Sequence, residues 1–456
     1  MTGNAMNTET LENMPFDNGD SVMTVERERV NIPPSPKTVL ATGLSPSFIS
    51  DLIIKHIYRY GTICGYEIAE KICLPFPVID RILDEILENN LAEKRGSRGL
   101  GNSTDLFSLV EKGRNYAQDL LELDTYTGPA PVTLEQYTKH IQETNLKGIT
   151  VREAMLRDAW KDIILDESFY PVLGPAIRSG TSCFLYGPPG TGKTVLAKSI
   201  ARYLEYWCGY IAIPYAIIVG GSIIRVYDPV YHEQVQNTKS YGDRFLLTEN
   251  QDRRWLICKR PSVISAGELT LDMLDLRYNP ITKYYEAPLH LKSNGGIFII
   301  DDFGRQQIDP RNLLNRWILP LEERIDFLTL HTGKKFPIPF EQFVIFATNL
   351  NPKQLVDEAF LRRIRYKIYV GQITVNTYKL IFDWECRKKN LVYNSVDLDT
   401  IIEKYYLKPN RMLRACDPRD ITDRIVDYCH YYELPLKISY EIFDNTYAAY
   451  MATVVT

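Results

Sequence analysis

The segment Gly187-Pro188-Pro189-Gly190-Thr191-Gly192-Lys193-Thr194 constrains this chain more than any other. It fits the pattern G-x-x-x-x-G-K-[ST], which works only as a turn between a buried strand and a helix. Both flanks are present. Ser182-Cys183-Phe184-Leu185-Tyr186 is an apolar run of strand length, and Leu196, Ile200 and Leu204 recur at helical spacing after the loop. The glycines let backbone N–H groups wrap a phosphate, and the helix N-terminus favours its negative charge. Lys193 is expected to reach the β- and γ-phosphates, and Thr194 to ligate Mg²⁺. A chance glycine-rich turn would not need both flanks.

A second segment supplies carboxylates. Gly295-Gly296-Ile297-Phe298-Ile299-Ile300-Asp301-Asp302 reads as a buried parallel strand with two acids at its C-terminal tip. Ligands of open α/β sheets sit at such tips. Asp301 is expected to hold Mg²⁺, and Asp302 to act on the attacking water. Asp302-Phe303-Gly304 imitates a kinase metal motif, but no H-R-D loop precedes it. Asp301-x-x-Gly304 imitates a GTPase switch, but no Asn-Lys-x-Asp guanine reader follows.

Further along, the order of motifs resembles the AAA+ ATPases. Phe343 to Asn349 is an apolar strand with a polar tip and matches sensor 1, where Asn349 would position water. Asp357 to Arg365 looks like the segment that delivers an arginine finger to a neighbouring subunit, with Arg363 before Arg362 as candidate. Asp417-Pro418-Arg419-Asp420-Ile421 matches sensor 2, so Arg419 would face the γ-phosphate. The resemblance implies a parallel sheet between helices at 151–370, a small helical lid at 371–456, ATP with Mg²⁺, and a ring, as a hexamer. Ile325 to Pro339 reads as a hairpin before sensor 1. That layout is similar to MoxR and magnesium-chelatase ATPases.

The chain also departs from that pattern. Asp302 stands where the family has glutamate, one methylene shorter. Val263 to Leu269 resembles the second strand entering the second helix, which leaves about 207–260 as an insertion. Within it, Ala216-Ile217-Ile218-Val219, Gly220-Gly221 and Ser222 to Tyr227 form a hairpin pattern. Arg244, Arg253, Arg254, Lys259 and Arg260 read as a solvated face in preference to a substrate grip.

Residues 1–41 are polar and end near Pro33-Pro34-Ser35-Pro36, the pattern of a disordered lead. Residues 42–125 read as helices at 47–60, 65–72 and 78–89, strands at 91–95 and 106–109, and a helix at 111–123. This order resembles a winged helix, an α+β unit. Its third helix carries Asp80, Asp84, Glu85 and Glu88 against Arg81, which favours protein docking over DNA. Residues 126–150, with Gly128-Pro129-Ala130-Pro131, read as a linker. A net charge of −4 argues against a general nucleic-acid binder. The eight cysteines show no C-x-x-C pair, which suits a reducing cytoplasm. The uncharged stretch 206–224 has spanning length, but Gly209, Pro214, Gly220 and Gly221 interrupt it, so no membrane insertion is expected.

The reading is therefore an ATP-hydrolysing ring that remodels an unidentified protein client. A DNA-acting ATPase and a slow ATP-gated binding switch are the alternatives.

Overall fold

The computed structural model describes residues 31–147, 149–235, 250–355 and 358–454. Most of the expected disordered lead, Arg244 and Asp357 lie outside the described residues.

A first unit runs α1 (Val39–Thr42), α2 (Pro46–Tyr60), β1 (Thr62–Cys64), α3 (Gly65–Lys71), α4 (Phe76–Glu88), β2 (Ala92–Ser97), β3 (Asp105–Leu109) and α5 (Glu111–Leu123). Local chemistry sets these bounds. α2 starts where Ser45 Oγ accepts the Phe48 N–H and Pro46 supplies a helical φ. α4 buries Val78, Ile79, Ile82, Leu83 and Ile86 along one face. The strands pair antiparallel in the order β1-β3-β2.

β4 (Val132–Thr133) and α6 (Leu134–Glu143) follow, so the expected linker is structured instead. Thr133 Oγ1 accepts the Gln136 N–H at 3.2 Å, and Gln136 Oε1 accepts the Thr133 N–H at 3.1 Å. This reciprocal cap starts α6, which buries Tyr137, His140 and Ile141. The Gly-Pro-rich run just upstream hides that apolar spacing.

The chain continues through α7 (Glu153–Ala159), α8 (Tyr170–Ser179), β5 (Ser182–Tyr186) and α9 (Lys193–Trp207). β6 (Tyr210–Pro214), β7 (Ala216–Val219), β8 (Ser222–Arg225) and β9 (Trp255–Lys259) occupy the insertion. Then come β10 (Ser262–Ser265), β11 (Arg277–Tyr278), β12 (Tyr285–Glu286), α10 (Leu289–Lys292) and β13 (Ile297–Ile300). The second helix expected after β10 is replaced by a 3₁₀ turn at Leu271–Leu274, the β11–β12 hairpin and the four-residue α10. Asn279-Pro280 breaks any helical run there. α11 (Pro310–Glu323), β14 (Ile325–Thr329), β15 (Lys335–Pro339), β16 (Phe343–Thr348), α12 (Pro352–Leu355), α13 (Glu358–Leu361) and β17 (Tyr366–Tyr369) complete this part. α14 (Val375–Lys388), α15 (Ser395–Ile402), α16 (Asp417–Tyr431) and α17 (Tyr440–Val454) pack around Tyr378, Phe382, Ile401, Ile425 and Phe443.

The central sheet has the order β10-β13-β16-β5-β17, and every neighbouring pair is parallel. Its middle strands are covered on both faces, which is why they read as unbroken apolar runs. Ile297, Ile299, Phe343 and Ile345 pack with Leu196 and Ile200 of α9. Their neighbours Phe298, Ile300, Val344 and Phe346 pack on the other side with Leu313 and Trp317 of α11. Truncating Phe346 to alanine would cost about 3–5 kcal/mol.

A second body stands beside this sheet. Strands β11-β12-β8-β7-β4 form one sheet, and the β6–β9 and β14–β15 pairs pack with it around Ile211, Trp255, Tyr285, Leu328 and Ile338. The first unit is seated on it, since Ala216 of β7 and Ile223 of β8 belong to the cluster built by α2 and α4.

Three details correct sequence expectations. Residues 31–41 are ordered: Ser35 N donates to Asn250 O at 2.7 Å and Asp252 N to Pro33 O at 2.9 Å. Arg254 is buried, not solvated. Its Nη2 donates to Asp252 Oδ2 at 2.7 Å, and its Nη1 to Thr42 O at 2.9 Å and Pro131 O at 3.2 Å. Arg260 is buried too, donating to Cys208 O at 2.7 Å and Gly295 O at 2.6 Å. Backbone carbonyls stranded between three segments need donors, and arginine has enough of them. Among the described residues, no helix is long and apolar enough to cross a membrane.

Candidate functional site

The phosphate-binding loop, Asp301-Asp302 and Asn349 lie at the C-terminal ends of β5, β13 and β16. The loop turns directly into α9, whose first residue is Lys193. Gly190 and Gly192 have φ of 80° and 95°, a region that side-chained residues rarely adopt. Lys193 Nζ donates to Gly187 O at 2.9 Å and Pro188 O at 2.7 Å. Burial holds its ammonium below the usual lysine range, against the opposing pull of Asp302 and Asp301. Neutral carbonyls are weaker partners for that charge than a phosphate would be.

The carboxylates are tied to the loop. Thr194 Oγ1 donates to Asp301 Oδ1 at 3.0 Å, and the Asp302 N–H donates to the same oxygen at 3.0 Å. Asp302 has φ 49°, and its Oδ1 accepts from Asn349 Nδ2 at 3.1 Å. Gln306 braces the turn, accepting the Gly304 N–H at 2.8 Å and donating to Asp301 O at 2.9 Å. No motif pointed to Gln306. Thr194 and Asp301 offer the oxygen donors that Mg²⁺ takes alongside phosphates and water, so the residues fit that ion.

A cavity of about 450 Å³ opens beside these groups, lined by Pro189 to Thr194, Asp301, Asp302 and Asn349. Its other wall is largely apolar: Ile163, Leu165 and Phe169 lie before α8, and Ile381 and Trp384 on α14. The sequence reading missed this wall, because scattered apolar residues carry no motif. The spacing of Thr377, Ile381 and Trp384 on one helical face was its one trace.

Comparisons with known proteins bear on this geometry. The ATP-dependent zinc metalloprotease FtsH of Rhodococcus erythropolis is 29% identical over 105 residues, 23% of this chain and 11% of that one. FtsH of Rickettsia felis is 36% identical over 83 residues, 18% of this chain and 12% of that one. The chain therefore spans about a tenth of the length of the curated relatives it matches. Among solved structures, the Thermotoga maritima RuvB Holliday junction branch migration motor has a TM-score of 0.36 at 13% identity, covering 65% of this chain and 73% of that one. NtrX from Brucella abortus has a TM-score of 0.34 at 10% identity, covering 69% and 56%. Residues 374–448 match a domain of unknown function (DUF8689), and residues 183–241 match the ATPase family associated with various cellular activities (AAA). Residues 183–241, which hold the phosphate-binding loop and α9, are thus similar to that ATPase family.

The loop that leads into α16 meets the phosphate loop directly. The Cys416 N–H donates to Gly190 O at 3.1 Å, and a Cβ on Gly190 would stand 2.6 Å from Cys416 Sγ. Arg419, in the first turn of α16, lines the cavity, but its guanidinium is held by Asp420 at 3.0 and 2.8 Å. Arg363 and Arg362 are not brought to this chain's own cavity. Arg363 pairs with Glu322 at 2.7 Å, whereas the Arg362 side chain is 78% exposed and 3.6 Å from Glu358. The last turn of α11 presents the acid that engages Arg363.

Proposed function

We propose that this chain is a Mg²⁺-dependent ATPase that works in a ring and remodels a protein client. The observation that carries the reading is the convergence of Lys193, Thr194, Asp301, Asp302 and Asn349 on one cavity. Lys193 would exchange its carbonyl partners for the β- and γ-phosphates of ATP. Thr194 and Asp301 would hold Mg²⁺, which neutralises phosphate charge when bound. Asp302, oriented by the Asn349 amide, would accept a hydrogen bond from the attacking water. The ATP dependence named for the FtsH relatives agrees with this nucleotide. Phosphate release from Mg-ATP tests it. Lys193→Ala should abolish nucleotide binding, and Asp302→Asn should keep binding while losing turnover. Wild-type turnover by Lys193→Ala would sink the reading.

A slow ATP-gated switch is the second reading, supported by the short reach of Asp302. If reach limits hydrolysis, Asp302→Glu raises kcat. If it lowers kcat, the geometry is already built for aspartate.

Ring action rests on an arginine supplied in trans, and the exposed Arg362 fits that role better than Arg363, with Arg363 bracing the segment. Mixing inactive Lys193→Ala and Arg362→Ala chains should restore part of the activity. Failure to do so, with both variants assembled, would remove Arg362 from the site.

Protein docking by the winged-helix-like first unit is supported over DNA binding by its charge pairing. Lys94 pairs with Asp105, Arg95 with Glu93 and Arg98 with Glu67, each at 2.8 Å. α4 leaves Asp84, Glu85 and Glu88 exposed. A salt titration of duplex DNA against the full chain decides the matter, since tight binding that falls steeply with salt would favour DNA.

A further inference from the structure

The chain has five tryptophans, and the structure treats one unlike the rest. Trp160, Trp255 and Trp317 are at most 5% exposed and Trp207 is half-buried, but Trp384 is 43% exposed although it lines the nucleotide cavity. Its neighbours on the cavity face of α14 are already engaged. Thr377 Oγ1 bonds Thr374 Oγ1 at 2.8 Å and reaches Asp166 Oδ2 at 3.4 Å. Glu385 is buried and paired with Lys389 at 3.1 Å. The Trp384 indole has the Lys388 ammonium 5.2 Å from its centroid, which takes one face of the ring and leaves the other. The same cavity is lined by Ile163, Leu165 and Phe169, with Asp162 and Asp166 between and beside them. A large flat ring left half in water in the lining of a phosphate-binding cavity, with apolar residues beside it, is suited to cover a planar, weakly polar group.

We propose that Trp384 is a specificity residue that covers the nucleoside of the bound nucleotide, favouring purine over pyrimidine triphosphates. This rests on the ATP-binding reading above. Stacking tolerates any base but grows with ring area, so a purine gains more than a pyrimidine. Because Trp384 sits on the lid and the phosphate loop sits on the core, one nucleotide would bridge the two.

Four full-length proteins test this: wild type, Trp384→Ala, Trp384→Phe and Lys193→Ala. ATP and CTP binding is measured by calorimetry, and tryptophan emission is followed in parallel. ATP should change the emission of wild type much more than that of Trp384→Phe. Trp384→Ala should bind ATP about tenfold or more weaker, with a smaller loss for CTP, and the turnover defect should appear in KM more than in kcat. Trp384→Phe should recover most of the affinity and of the ATP preference. Undiminished ATP affinity and preference in Trp384→Ala, while Lys193→Ala loses binding, would overturn the proposal and leave the ATPase reading intact. So would an equal loss for both nucleotides without rescue by phenylalanine, the mark of a merely structural role. Failure of wild type to bind ATP would instead overturn the reading beneath it.

Discussion

Lys193 and Arg254 are both buried cations, and the two regions of the molecule use them oppositely. In the phosphate loop, the Lys193 ammonium holds neutral carbonyls at 2.7 and 2.9 Å and lies near Asp301 and Asp302 without an ion pair among the described contacts. In the second body, Arg254 is 1% exposed and ion-paired, with Asp252 beside it and the carbonyls of Thr42 and Pro131 closing the network. A cation held by neutral acceptors can exchange them for a ligand's charged oxygens at small cost. A buried cation already paired with a carboxylate can only lose. The comparison separates a site from a scaffold without reference to any motif.

The largest effects should come from breaking each cation in turn. Lys193→Ala should reduce ATP turnover by about 10³-fold or more, while the urea midpoint stays near wild type. Arg254→Ala should do the reverse. It leaves Asp252 buried without its partner, at about 3–5 kcal/mol of stability, and frees the crossing of residues 42 and 131. Its kcat per folded molecule should stay within about threefold, since no stabilised charge in the cavity is touched. Denaturation and phosphate release on the same preparations measure both. If Arg254→Ala instead lost turnover while folded, the two regions would be coupled and the contrast would fail.

The same contrast explains what could be read from the sequence. The placement of the phosphate loop, Asp301, Asp302 and Asn349 around one cavity was legible because each motif ties its residues to a strand tip or a helix start; Arg419 lines the same cavity, but with its guanidinium on Asp420. The strands Ser182–Tyr186, Ile297–Ile300 and Phe343–Thr348 were legible because burial on both faces forces unbroken apolar runs. Of the second body only its hairpins were legible, at 216–227 and 325–339, and the β7–β8 and β14–β15 pairs bear them out. Its sheet joins residues 132–133, 216–225, 277–278 and 285–286, and strands of two residues have no period to detect. Arg254 and Arg260 looked like surface charge because the backbone carbonyls that enclose them, Thr42 and Pro131 for one and Cys208 and Gly295 for the other, are distant in sequence, which no local pattern encodes. Trp384 was lost for a third reason: its role depends on which face of α14 the fold turns toward the loop.

A smaller effect sharpens the boundary between core and lid. Gly190→Ala adds a methyl 2.6 Å from Cys416 Sγ at a position with φ 80°. The lid loop must shift, and the Cys416 N–H bond to Gly190 O lengthens. ATP affinity should fall about tenfold, from about 1.4 kcal/mol of strain and lost contact. Calorimetry reads this directly. Unchanged affinity would mean that the lid contact on the loop has no part in holding nucleotide.

The last effect, one on stability and not on turnover, is a pH dependence to which two histidines of the second body contribute. His140 packs against Trp255 with ring centroids 4.7 Å apart, and burial pushes its pKa down to about 4. Burial pushes His232 down to about 4 as well, and its Nδ1 accepts the Asp228 N–H at 2.9 Å, a bond that protonation would break. Both folded values lie below the unfolded value of 6.5. The unfolded chain therefore binds more protons between pH 6.5 and about 4, so stability is full above 6.5 and lost as pH falls through that window. Each histidine should cost about 1 kcal/mol at pH 6 and about 2 kcal/mol at pH 5, relative to pH 8. Urea midpoints across pH 5–8 measure the slope, and His232→Gln should flatten it where Lys193→Ala does not. A wild-type midpoint that stays level from pH 6.5 to 5 would show that these two rings are not held neutral by the second body, and that its interior is wetter than its packing implies.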